Sequence, residues 1–253
     1  MVITELPKFG EALFTLPNKK DIPLRPNADW SDDVPKFEPQ TNFEFDTFSC
    51  CTYASVHALC TLAKAKFGVE WNKSERFTAI MSGTVKDKGN SIRQVVSAMA
   101  KFGVVDQADC PFPDEMTEDQ YFAPIPLTTQ FKGRDWLNQY ELDWQWVSKF
   151  IGIIPTTNKD MMYEALKYSP LVTSVDSNSP ESNGVIQNQI EKYNHAKYIK
   201  SAVYGVSWTT EDSYDGSLNT YAWDYEFFHP IKFTLELKKK SFWDLFSDLL
   251  SKF

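Results

Sequence analysis

The chain has 253 residues, 42% hydrophobic and 24% charged, long enough for one large domain or two lobes sharing a cleft. Its net charge of −8 and the lack of a basic stripe argue against a nucleic-acid partner, and no apolar run approaches the ~20 residues that span a bilayer. Aromatic residues make up 15%, so rings are expected to build much of the core.

Residues 1 to 40 carry six prolines and little periodicity, which predicts an extended N-terminal arm. The start, Met1-Val2-Ile3-Thr4, lacks the basic and apolar regions of a secretory signal, so a cytoplasmic location in the producing cell is expected. The four cysteines, Cys50, Cys51, Cys60 and Cys110, form neither a disulfide framework nor Cys-x-x-Cys pairs. They are read as reduced thiols, with no metal or other cofactor.

Cys50 to Phe67 is a predicted helix, with Val56, Leu59, Cys60 and Ala63 on one face and Gly68 at its stop. Ser49 or Thr47 is expected to cap it. Cys50 then lies in the first turn, where the partial positive charge of the helix end favours a thiolate. Asn72 to Glu75 reads as a capping box ahead of a helical stretch with Phe77, Ile80 and Met81. Ser91 to Phe102 is a second helix, stopped at Gly103. Four prolines make 104–133 mainly loop, and Trp136, Tyr140, Trp144 and Val147 suggest a further helical face.

The character then changes. Asn158 to Tyr168 is a short helix ended by Pro170, and Leu171 to Val175 is a strand candidate. His195 to Trp208 alternates as one or two strands, Asp212 to Gly216 is a turn, and Ile231 to Leu237 has period 2. Helices followed by strands predict an α+β fold with two lobes and a cleft between them.

A thiol at a helix start needs an imidazole and an orienting polar group to become a nucleophile. His57 lies two turns further along the same helix, roughly 10 Å from the thiol, and reads as a core histidine. His229 precedes Pro230 and reads as a loop or strand-edge residue. His195 opens a strand in the β half, from which it could reach Cys50 across a cleft. Asp212, 17 residues later, could hold one imidazole tautomer, with Asp224 as the weaker candidate; the plainer role of Asp212 is turn formation.

Cys50 and His195 are 145 residues apart. This order, with a polar residue after the histidine, is similar to that of papain-like cysteine peptidases, where the separation is about 130–150. Ser49-Cys50-Cys51-Thr52-Tyr53-Ala54-Ser55 resembles the family's Ser-Cys-Trp-Ala-Phe-Ser-Ala. Gly89-Asn90-Ser91 through Phe102-Gly103-Val104 and Cys110-Pro111 resembles its glycine-led helix and following turn. Ala165-Leu166 to Pro170-Leu171-Val172 resembles its short helix before the first barrel strand. Asn194-His195-Ala196 resembles its His-Ala strand, and Asp212-Ser213-Tyr214 stands where Asn-Ser-Trp is usual. The ordered set covers about residues 40 to 237 and looks most like a divergent bacteriophage-type branch.

The resemblance implies a helical lobe at about 41–150, a β lobe at about 151–237, and a Cys50–His195–Asp212 triad that hydrolyses peptide bonds through an acyl-enzyme. Cys51 replaces the bulky residue after the nucleophile and leaves open which cysteine attacks. Glu44 stands where the oxyanion glutamine is usual, and its charge would oppose an oxyanion, so Gln40 is the substitute through a longer loop. The usual first-lobe disulfide is not recoverable, and the first 30 residues do not resemble an inhibitory propeptide. The expected partner is a peptide or protein substrate. A related cell-wall peptide hydrolase and a catalytically degenerate fold serving as a structural or binding protein are the alternatives. Residues 238–253 form an amphipathic C-terminal helix, with Phe242, Leu245, Phe246, Leu249 and Phe253 on its apolar face. Its polar face is not basic, which favours docking on its own core or on a partner subunit over a membrane surface. In a phage protein it would serve as a virion anchor.

Overall fold

A computed structural model describes residues 6–8, 11, 13, 23–41, 45–151, 154–176, 194–203, 207–212, 218–222 and 228–238. The expected C-terminal helix beyond Lys238, residues 213–216 of the expected turn, Asp224 and Glu44 lie outside the described residues, and Asp212 itself ends a strand rather than opening that turn. The architecture is α+β, with helices in the first part and an antiparallel sheet after them.

Helix α1, Cys50–Phe67, has the predicted bounds. Gly68 ends it in the left-handed conformation at φ 69°, its N–H bonded to the Lys64 carbonyl, a conformation that favours glycine. The expected single apolar stripe is instead burial on every side from Cys50 to Ala63. The reason is position: α1 packs on helices α2 (Glu75–Ser82) and α3 (Ile92–Phe102) and also on the sheet.

The cap of α2 is Ser74, whose hydroxyl accepts from Phe77 N–H, and not Asn72. The Asn72 carbonyl instead accepts from Gln107 N–H, tying that loop down. Ser91 caps α3 through the Gln94 N–H, as its sequence suggests.

Two helices stand in the stretch expected to be mainly loop. The short α4, Glu118–Tyr121, begins with a capping box formed by Thr117 and Gln120. Helix α5, Leu127–Gln139, begins after Pro126 and packs against α3. That packing is close. A Cβ on Gly133 would lie 2.3 Å from the Phe102 carbonyl oxygen, so no larger residue fits there.

The aromatic run 136–147 is not one helix. Trp136 lies in the last turn of α5, and strand β1, Tyr140–Trp146, continues the chain. Pairing with β8, Phe228–Leu237, wins over helical spacing: Trp144 faces Phe233 and Trp146 faces Ile231 in the ladder. A small hairpin follows, β2 (Lys149–Ile151) with β3 (Ile154–Thr156). Helix α6, Lys159–Leu166, capped by Asn158, leads to β4, Leu171–Asp176.

The remaining strands are β5 (Asn194–Val203), β6 (Ser207–Asp212) and β7 (Leu218–Ala222). Among the described residues the main sheet has the order β1-β8-β4-β5-β6-β7, antiparallel throughout. One continuous core joins helices and sheet through Leu59, Leu62, Met99, Leu166, Val172 and Phe233.

The N-terminal arm does more than cover a surface. Trp30 is fully buried in this core and donates its indole N–H to the Leu166 carbonyl at 2.7 Å. Arg25 N–H bonds the Lys167 carbonyl at 3.0 Å, and its side chain pairs with Asp33. The arm is therefore fastened to α6, more than a hundred residues away in sequence.

Candidate active site

The segment Phe45 to Ser49 turns the chain into α1. Asp46 Oδ1 accepts from Phe48 N–H at 2.8 Å, and Phe48 takes a positive φ of 53°. Thr47 Oγ1 donates to the Gln40 carbonyl at 2.7 Å. Ser49 occupies the cap position but its side chain does not cap. Its backbone, at φ −105° and ψ 21°, lacks the extended conformation a cap requires, and its hydroxyl bonds the Thr47 carbonyl and the Tyr121 hydroxyl. Neither Ser49 nor Thr47 thus caps α1 as expected. Tyr121 is the anchor that sequence reading missed.

Cys50 is the first residue of α1, and all four cysteines are reduced, with no disulfide among them. The two neighbours differ. Cys50 is 7% exposed, whereas Cys51 is 1% exposed and donates its thiol to the Asn90 carbonyl at 3.2 Å. Burial, with Cys50 close by, pushes the Cys51 thiol well above its ordinary range, so it stays protonated. Cys60, deeper on α1, is pushed up to about 12 by burial.

Gln40 is buried, and its side-chain amide donates to Asp46 Oδ1 at 3.2 Å. The amide is thus bound to the loop that leads into Cys50.

On the β side, α1 packs against β5, the strand that carries His195. His195 pairs with Val175 of β4, and Asp212 pairs with Lys197 of β6's neighbour β5. Asp212 is thus two positions along the ladder from His195 with the same parity, since positions two apart share a face of a strand. The side chains of His195 and Asp212 lie outside the described residues, and His229 is described only as backbone in β8.

His57 stays in the core, as its place in the middle of α1 suggests. Its Nδ1 is 3.6 Å from Glu211 Oε1, and both side chains are buried. Glu211 was not singled out in the sequence, where nothing local separates it from a surface acid on an edge strand. Among the described residues no helix is long and apolar enough to cross a membrane.

No protein-family model matches the chain, and no curated protein sequence matches it. Solved structures do. Xylellain, a cysteine protease from Xylella fastidiosa, superposes with a TM-score of 0.58 at 15% identity over 95% of this chain and 96% of that one. The bromelain protease from Ananas comosus in complex with the E64 inhibitor gives 0.55 at 17% identity, over 82% of this chain and 98% of that one. The Carica candamarcensis cysteine protease CMS1MS2 in complex with E-64 gives 0.54 at 14% identity, over 84% and 98%. The chain has the papain-like α+β fold.

Proposed function

We propose that this chain is a cysteine-type peptide-bond hydrolase, with the cleft between a helical lobe at about 41–150 and a β lobe at about 151–237. The observation that carries the reading is a reduced cysteine, Cys50, outside any disulfide and opening a helix that packs on the strand bearing His195. Cys50 is favoured over Cys51 because the Cys51 thiol is donated to a carbonyl and held protonated. The branch is the divergent bacteriophage-type one that the ordered motifs resemble, and E64 in two similar structures supports a peptide-like substrate.

In this mechanism His195 takes the Cys50 proton, and the thiolate attacks the amide carbonyl carbon. The Cys50 backbone N–H and the Gln40 amide stabilise the oxyanion. The amine leaves with the proton from His195, and an acyl-enzyme remains. Water, deprotonated by His195, attacks the thioester and releases the acid and the Cys50 thiol. Asp212 orients the imidazole and favours its charged form.

Labelling with iodoacetamide or an epoxide inhibitor tests this. Selective modification of Cys50 that disappears in His195→Ala is expected. Equal slow labelling of both proteins would overturn the proposal. Cleavage of casein as against purified peptidoglycan then separates a protein substrate from cell-wall peptides.

One observation favours a second reading, a fold retained for binding without catalysis. Gln40 is buried, and one of its two amide N–H groups is already donated to Asp46, leaving at most one for an oxyanion. On that reading neither substrate is cleaved and Cys50 is no more reactive than a denatured thiol.

A further inference from the structure

A cavity of about 350 Å³ opens beside the middle of α1, between the arm at 33–38 and the segment 70–75. His57 and Cys60 form its α1 wall, seven and ten residues after Cys50, which is roughly 10–15 Å along the helix. The cavity therefore stands apart from the thiol.

Its acids are unevenly matched. Asp33 pairs with Arg25, and Glu70 pairs with Lys64 at 2.8 Å. Lys73, buried at the wall, is neutralised by Asp106 at 2.6 Å. Glu38 accepts from the Gln107 amide at 3.3 Å, and Glu75 has only its own backbone N–H. Among the described residues no lysine or arginine lies within ion-pair distance of Glu38 or Glu75, the exposed Lys36 at the rim included. Yet Glu75 is 3% exposed, and a buried carboxyl without a partner is costly. Burial and the neighbouring Glu38 push it well above the ordinary carboxylate range.

Two carboxyls facing one space call for a shared positive charge. Trp71, also on the wall, adds an aromatic face over which Lys73 Nζ already sits at 4.9 Å. A metal fits less well, because among the described residues no group of three His, Cys, Asp or Glu could hold one. We propose that the cavity binds an organic cation, an alkylammonium or guanidinium group held between Glu38 and Glu75. A bound cation favours the ionised form of Glu75, so binding is expected to tighten as pH rises and to release protons where Glu75 is protonated beforehand.

Calorimetric titration of the full chain with pentylammonium, with butylguanidinium and with uncharged 1-pentanol tests this. Saturable binding of the cations and none of the alcohol is expected. At pH 7, heats in buffers of different ionisation enthalpy report proton release. Glu75→Gln, isosteric with the protonated acid, is expected to keep its near-UV circular dichroism, to weaken binding more than about tenfold and to abolish proton release. Glu38→Gln is expected to weaken binding while proton release persists. No saturable binding, equal binding of the alcohol, or unchanged affinity in folded Glu75→Gln would overturn the proposal.

Discussion

His57 Nδ1 lies 3.6 Å from Glu211 Oε1, joining the helix that opens with Cys50 to the strand that ends with Asp212. The contact crosses from helices to sheet inside the core, where both side chains are buried. His57→Ala or Glu211→Ala is expected to cost about 1–3 kcal/mol. The double replacement is expected to cost less than the sum of the two, because each single change already breaks the pair. Urea unfolding of the three variants measures this, and full additivity would show that the two side chains act independently.

Thiol reactivity should follow burial along α1. Cys51 and Cys60 are both held protonated, Cys60 up to about 12. At pH 8 alkylation mapped by mass spectrometry is expected at Cys50, with Cys51 and Cys60 modified only after denaturation. Cys51→Ala should leave Cys50 labelling within about twofold, since a thiol that donates to Asn90 supplies no nucleophile.

Glu75 makes stability depend on pH. Its folded pKa is raised above the unfolded value, so its protonated form is favoured on folding. That contribution is present in full below the unfolded pKa, about 4.3, and is lost as pH rises through the raised folded pKa. Glu75→Gln lacks the ionisation. Relative to the original chain without ligand, its urea midpoint is expected to gain steadily as pH rises above about 4.3. A difference that does not vary with pH would show that Glu75 ionises as readily folded as unfolded.

Trp30 fastens the arm to α6. Trp30→Phe keeps most of the ring but leaves the Leu166 carbonyl without its donor, an expected loss of about 1–2 kcal/mol. Trp30→Ala also opens a cavity in the core and is expected to cost about 3–5 kcal/mol. Thermal unfolding distinguishes the two.

Gly133 has no room for a methyl group. Gly133→Ala would set a Cβ 2.3 Å from the Phe102 carbonyl oxygen, so α5 must move off α3. An expected cost of about 1–3 kcal/mol, read from denaturant midpoints, outweighs the gain in helix propensity from alanine.

The features legible in the sequence were those set by near neighbours. Gly68 and Gly103 marked helix ends, Ser91 and Asn158 marked starts, and period 2 marked Ile231 to Leu237, because caps, left-handed turns and strand alternation depend on a few adjacent residues. Cys50 at a helix start and the order of helices before strands followed from the same local signals. Tertiary structure decided the rest. Trp144 and Trp146 became a strand because β8 supplied hydrogen-bond partners from ninety residues away. Ser49 left its cap for the Tyr121 hydroxyl, Trp30 entered a core built by later segments, and Glu75 was buried beside Glu38 without a counter-charge. Such outcomes turn on which distant groups meet and how much water they exclude, and spacing along the chain encodes neither.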